Sequence, residues 1–205
     1  MIPLRRRAAA LALCLAASLC VAQTVAPPSS TMRLRGIVQN VTSATLTIKE
    51  RSGEVIDLVL PDKLVVSEVF PIALSDIQPG SYIGTAALPQ ADGTQRAIAV
   101  TVFPESARGT AEGHRPFDLQ PQSTMTNATV AEVVAAPSGR KLQLKYKDGE
   151  KTIVVPPEAP VVTFRPGDRS LLVPGASVSL TAQAIDGKPT ALRINAGRNG
   201  FALPY

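Results

Sequence analysis

Two stretches decide the fold: TLTIKERSGE at residues 45–54 and KLQLKYKDGE at residues 141–150. In the first, Leu46 and Ile48 alternate with Thr45, Thr47 and Lys49; in the second, Leu142, Leu144 and Tyr146 alternate with Lys141, Gln143, Lys145 and Lys147. A period of two marks a strand with one buried face, since a helix would repeat its apolar positions every three to four residues. Ser52-Gly53 and Asp148-Gly149 lie at the ends of these runs, and such pairs tolerate the positive φ of a tight hairpin.

Outward from these stretches the chain repeats itself. GIVQNV at 36–41 answers ATVAEV at 128–133, and Val65-Val66 answers Val161-Val162. QPGSYI at 78–83 answers VPGASV at 173–178, and ADGTQRAIAV at 91–100 answers IDGKPTALRI at 185–194. The offset drifts from 92 to 96 and back to 94, as short loop insertions would cause. Asp92-Gly93 and Asp186-Gly187 predict a hairpin before the last strand of each unit, and Pro79-Gly80 and Pro174-Gly175 a turn into the fourth. Further inward faces are expected at Ile56, Leu58 and Leu60, at Ile98, Val100 and Val102, at Val178 and Leu180, and at Leu192 and Ile194.

The expected fold is all-β: two tandem OB-like small β-barrels of five to six strands each, related by internal duplication and joined by an extended linker. A two-sheet sandwich in each unit fits the same pattern. The units are expected at 31–104 and 124–198, with the linker at 105–123 and a tail at 199–205.

Arg5, Arg6 and Arg7 precede an apolar run from Ala8 to Ala22, the layout of a secretory signal peptide. The run is shorter than the ~20 apolar residues of a membrane span. Cleavage is expected after Ala22, with Ala26 as the alternative, leaving 23–30 as a disordered mature N-terminus. Both cysteines, Cys14 and Cys20, fall inside the leader, so the mature chain would have neither disulfides nor thiolate metal sites. A lipid on either cysteine is the weaker alternative, because each follows a leucine where a small residue is wanted. Without the leader arginines, 18 basic residues face 16 acidic ones, so the formal charge of +5 is no argument for a nucleic-acid or membrane partner. A periplasmic or secreted protein without a transmembrane segment is the expectation.

Between the units runs RGTAEGHRPFDL at 108–119, which holds the single histidine. Glu112, His114 and Asp118 are ligand types that zinc or copper accepts. The competing account makes the segment a strap: Phe117 and Leu119 anchor it between the barrels while Arg108, Arg115 and Asp118 pair to the rim. Lys141, Lys145, Lys147 and Lys151 concentrate positive charge on one hairpin, a possible anion patch or a plain solvated face. Nucleic acid is not expected, since OB folds bind it on aromatic platforms and this chain has no Trp. Catalysis has little footing: one His, no mature Cys and no G-x-S-x-G elbow.

The duplicated pattern, the PGSYIG…DGTQRAIAVTVFPE ending of the first unit, and RGTAEGHRPFDL followed by STMTNATV resemble a family of uncharacterised exported bacterial proteins. The resemblance covers nearly all the mature chain. It implies a small β-barrel domain of unknown function, and some members carry the label of a metal transporter permease. A literal permease conflicts with the lack of any apolar run of membrane length after the leader. The expected function is a non-enzymatic periplasmic binding or envelope-accessory module without a cofactor, its partner an envelope protein or a small ligand. The alternative is a metal-binding accessory for zinc or copper linked to metal transport, and an enzyme stands third.

Overall fold

The structure is a computed structural model that describes residues 31–137 and 139–205. The leader expected at 1–22 and the stretch 23–30 lie outside the described residues. No helix among those residues is long and apolar enough to cross a membrane.

The fold is all-β, with thirteen strands in one continuous hydrogen-bonded network. The first unit contributes β1 (Thr31–Val41), β2 (Thr45–Glu50), β3 (Val55–Val59), β4 (Val65–Pro71), β5 (Tyr82–Pro89) and β6 (Gln95–Val102). The linker contributes β7 (Gly113–Pro116). The second unit contributes β8 (Thr124–Ala136), β9 (Gly139–Tyr146), β10 (Gly149–Val155), β11 (Val161–Pro166), β12 (Ser177–Ile185) and β13 (Lys188–Gly197).

The alternation read from the sequence sets the inward faces. Leu46, Ile48, Leu142 and Leu144 are fully buried, while Thr45, Lys141 and Lys145 are exposed. Two positions depart from the expected parity. On β6, Ala86 pairs with Ala99 but Ala87 pairs with Ala97, so Ile98 is a bulge residue. On β13, Thr181 pairs with Arg193 but Ala182 pairs with Ala191, which bulges Leu192 in the same way. A bulge inserts one residue and flips every side chain beyond it. The core faces are therefore Ala97 with Val100, and Ala191 with Ile194, rather than faces that include Ile98 and Leu192. A second bulge pair, at Gln39 and Ala131, also occupies corresponding positions of the two sequence units.

The strands do not pair unit by unit. Pairings run β1-β2-β3-β13-β12 and return to β1, closing a ring that joins residues 31–59 to 177–197. A second set runs β8-β9-β10-β6-β5 and returns to β8, all of it within residues 82–155. We call these the split ring and the central ring. Each takes three strands from one sequence unit and two from the other, so neither 31–104 nor 124–198 closes a ring alone. The apolar clusters follow the rings: Leu46, Ile48 and Leu58 pack with Val178 and Ile194 in one, and Ile83 and Val100 with Leu142, Leu144 and Ile153 in the other.

The crossing is made by β4 and β11. β4 pairs parallel to β13, β11 pairs parallel to β6, and the two lie antiparallel to each other from Ser67–Pro166 to Pro71–Val162. The local two-fold relating them passes between the pairs Glu68–Arg165 and Val69–Phe164. Glu68 is buried there, and its carboxylate accepts from Arg165 at 3.0 Å and from Arg198 at 3.0 Å. The hydrogen bonds from Arg198 and then Arg165 hold its pKa down at about 2.

A carboxylate whose folded pKa is depressed contributes stability above its unfolded pKa and loses it as pH falls through the folded value. Glu68→Gln is expected to lower the melting temperature by several degrees at neutral pH. That deficit should shrink between about pH 4.5 and pH 2 and vanish below, as read by melting curves of both chains across pH.

Candidate functional site

The outer faces of the two rings meet over a cavity of about 240 Å³. Strand parity decides which side chains reach it. On the split ring, Arg35 pairs with Ser179 and Ser179 with Asn195; one step along, Arg33 pairs with Thr181 and Thr181 with Arg193. All six line the cavity. On the central ring, Asn127 pairs with Gly84 and Gly84 with Thr101, and these three line the opposite wall. Val69 and Phe164 of the crossing strands form the floor, and Leu203–Tyr205 close one side, held by the Leu203 amide donating to Ser177 Oγ at 3.1 Å.

Gly84 leaves room for the side chains packed over it. A Cβ there would stand 2.9 Å from Asn127 Oδ1 and 2.9 Å from Phe103 Cε2, closer than real Cβ contacts come. Phe103 in turn packs edge-on to Phe164 at 5.6 Å and tilted to Tyr82 at 5.4 Å.

The linker folds over this cavity as a hairpin arm and is not simply extended. β7 pairs with β8 from Gly113–Asn127 to Pro116–Thr124, and the Phe117 amide donates to Ser123 O at 2.8 Å. Asn127 Nδ2 and the Tyr82 hydroxyl both donate to Thr110 O, at 2.9 and 3.1 Å. Ala111 adopts a positive φ of 47°, which turns its carbonyl to accept from Arg115 Nη1 at 2.8 Å. The ring of Phe117 lies 5.3 Å from the Arg35 guanidinium carbon and 6.0 Å from that of Arg33.

Charge at the site is one-sided. Four guanidiniums, those of Arg33, Arg35, Arg115 and Arg193, line the cavity. Among the described residues a carboxylate pairs with only one of them: Asp118 accepts from both terminal nitrogens of Arg35, at 2.7 and 3.2 Å. That pairing lowers the Asp118 pKa. Burial, and then the neighbouring Arg33, press the Arg115 guanidinium below its usual range. Among the described residues, four buried side-chain polar atoms have no hydrogen-bond partner, and three of them belong to residues lining this cavity: Arg35 Nε, Thr101 Oγ1 and Asn127 Oδ1. Buried polar groups are nearly always satisfied, so these three atoms are positions where a water or a bound molecule would complete the hydrogen bonding.

The residues expected from sequence fall in several places. Phe117 and Arg115 reach the cavity, whereas Leu119 is half-buried and does not line it. Arg108 stands at the far end of the arm, on Glu105 at 2.6 Å and Gly80 O at 2.9 Å and over the Tyr82 ring. Glu112 accepts from the Lys147 amide at 3.0 Å, His114 Nδ1 lies 2.8 Å from Thr126 Oγ1, and Asp118 is on Arg35. Each potential metal ligand thus has a different partner, and among the described residues no three His, Cys, Asp or Glu gather. Lys141, Lys145 and Lys147 are exposed on the β9–β10 hairpin, and Lys151, half-buried, faces His114.

Arg33, Arg35 and Arg193 escaped sequence reasoning. The signal was Arg33-Leu34-Arg35, whose alternation puts both guanidiniums on one face of β1. Comparisons with protein-family models, curated proteins and solved structures find no match to the chain.

Two outcomes test the arm. Phe117→Ala should lower the unfolding free energy by about 1–2 kcal/mol in chemical denaturation, from lost half-burial and two cation–π contacts of ~0.5–1 kcal/mol each. Burial, then Lys151 and Arg115, lower the pKa of His114, so the folded chain disfavours the proton that the unfolded chain takes up. Wild-type stability should fall as pH drops below about 6.5, and His114→Gln should flatten that fall in melting curves.

Proposed function

We propose that this protein is a non-enzymatic binding module of the cell envelope, exported by its N-terminal leader, whose ligand is a small anion seated between two OB-like barrels. The barrel reading draws support from the order of each ring: three consecutive antiparallel strands, then a fifth strand parallel to the third, then a fourth returning to the first. On this reading the barrels have exchanged their last two strands through β4 and β11. The leader-like N-terminus and the resemblance to exported bacterial proteins support the location.

One observation carries the binding reading. Four guanidiniums line one cavity with a single carboxylate among them, beside three buried polar atoms that lack partners. Guanidiniums left unneutralised in a cleft with low-dielectric walls concentrate anions there, and their fork suits carboxylate or phosphate oxygens. A binding role also suits the histidine, which is tied to the Thr126 hydroxyl in the β7–β8 pairing and flanked by Lys151 and Arg115.

Calorimetric titration of the full chain with citrate, benzoate and inorganic phosphate, against glucose as the neutral control, tests this. At least one anion is expected to bind, glucose is not, and the double variant Arg33→Gln, Arg193→Gln should weaken binding by about 100-fold, each lost charged hydrogen bond contributing roughly tenfold. Binding that survives the double variant unchanged, or no binding by any anion, would overturn the reading.

A further inference from the structure

The two walls of the cavity differ in chemistry, and the difference restricts what fits between them. The rows Arg35–Ser179–Asn195 and Asn127–Gly84–Thr101 occupy corresponding places: Gly84 answers Ser179 and Thr101 answers Asn195 in the duplicated sequence. One wall has become cationic, the other neutral and hydrogen-bonding. Phe103, Phe117 and Phe164 line the space they share.

The arm supplies a template of what the cationic wall recognises. Phe117 lays its ring against the guanidiniums of Arg35 and Arg33, and the next residue, Asp118, takes both terminal nitrogens of Arg35. A flat ring next to a carboxylate is thus held by the β1 arginines already, while Arg193 and Arg33 have no carboxylate of their own among the described residues. On the neutral wall, Asn127 Oδ1 and Thr101 Oγ1 are buried and unpartnered on either side of Gly84. The amide nitrogen of Asn127 is already committed to Thr110 O, so its oxygen calls for a donor from outside the protein.

We infer that the ligand is a hydroxylated aromatic carboxylate: its carboxylate on Arg33 and Arg193, its ring among the phenylalanines, and its hydroxyl donating into the Asn127–Thr101 row. This rests on the cavity being an anion seat, and it narrows which anion. Guanidinium planes stack on aromatic faces and grip carboxylates with paired hydrogen bonds, so one wall serves both parts of such a molecule. A site built to hydrogen-bond a hydroxyl discriminates against the analogue that lacks it, because its own buried groups stay unpaired.

The probes are 4-hydroxybenzoate, benzoate, cyclohexanecarboxylate, phenol and inorganic phosphate, titrated calorimetrically into the full chain. The hydroxybenzoate is expected to bind about tenfold or more tighter than benzoate, with cyclohexanecarboxylate and phenol weaker still. Thr101→Val, equal in volume and free of the unpartnered hydroxyl, should keep the melting temperature and reduce the hydroxyl preference to less than about threefold. Arg193→Gln should weaken both aromatic acids equally, by about tenfold. Phosphate or the aliphatic acid binding as tightly as 4-hydroxybenzoate overturns the ligand class and leaves the anion seat standing. A hydroxyl preference unchanged in Thr101→Val also overturns it. Failure of every anion to bind removes the inference together with the seat beneath it.

Discussion

The antiparallel pairing of β4 with β11 is the constraint on which the molecule depends. At this crossing the chain leaves one ring of paired strands for the other and later returns, so the two apolar cores are linked through these two segments. Glu68 sits at the local two-fold with a guanidinium on either side. A buried carboxylate is costly unless its charge and lone pairs are met, and once they are met it tolerates few other arrangements. Val69 and Phe164, one step away on the same pair, form the floor of the cavity, so the crossing and the cavity share a foundation.

The cavity lies where outward-facing rows of the two rings come to either side of a shared seam, and the two rows differ in character. Arginine stands at position 35 where Asn127 stands across the seam, and Ser179 stands where Gly84 leaves room for Phe103 and the Asn127 amide. The arm from 105 to 123 belongs to neither row. It caps the seam through β7 and sets Phe117 and Asp118 against β1, tying the middle of the chain to its first described strand.

Much of this was legible in the residues. Alternation at 45–50 and 141–146 specified the strands and their buried faces, and Asp186 and Gly187 both adopt the left-handed conformation expected of their hairpin; Asp148-Gly149 does not, since Gly149 already opens β10 opposite Tyr146 and neither residue has a positive φ. The bulges at Ile98 and Leu192 were hidden, because a bulge is a property of two strands in register and a single strand's pattern does not contain it. Partner choice was hidden for the same reason. The third strands β3 and β10 each pair with the last strand of the other sequence unit, and alternation along one strand does not encode that choice. Of the site, the arm stood out by its histidine and punctuation, while Arg33, Arg35 and Arg193 come together only when the strands of the split ring are set in register opposite the second ring.

The central ring is continuous in the chain from 82 to 155, but the split ring must bring Thr31 beside Gln183. Loop closure over so long a span is entropically costly and slow compared with the local hairpins of the middle. If the chain emerges from its N-terminus first, β1 to β3 wait as an open three-stranded sheet until β12 and β13 arrive, with Leu46, Ile48 and Leu58 uncovered in the interval. The topology thus sets a middle whose pairings are local in the chain against flanks whose closure spans nearly its whole length.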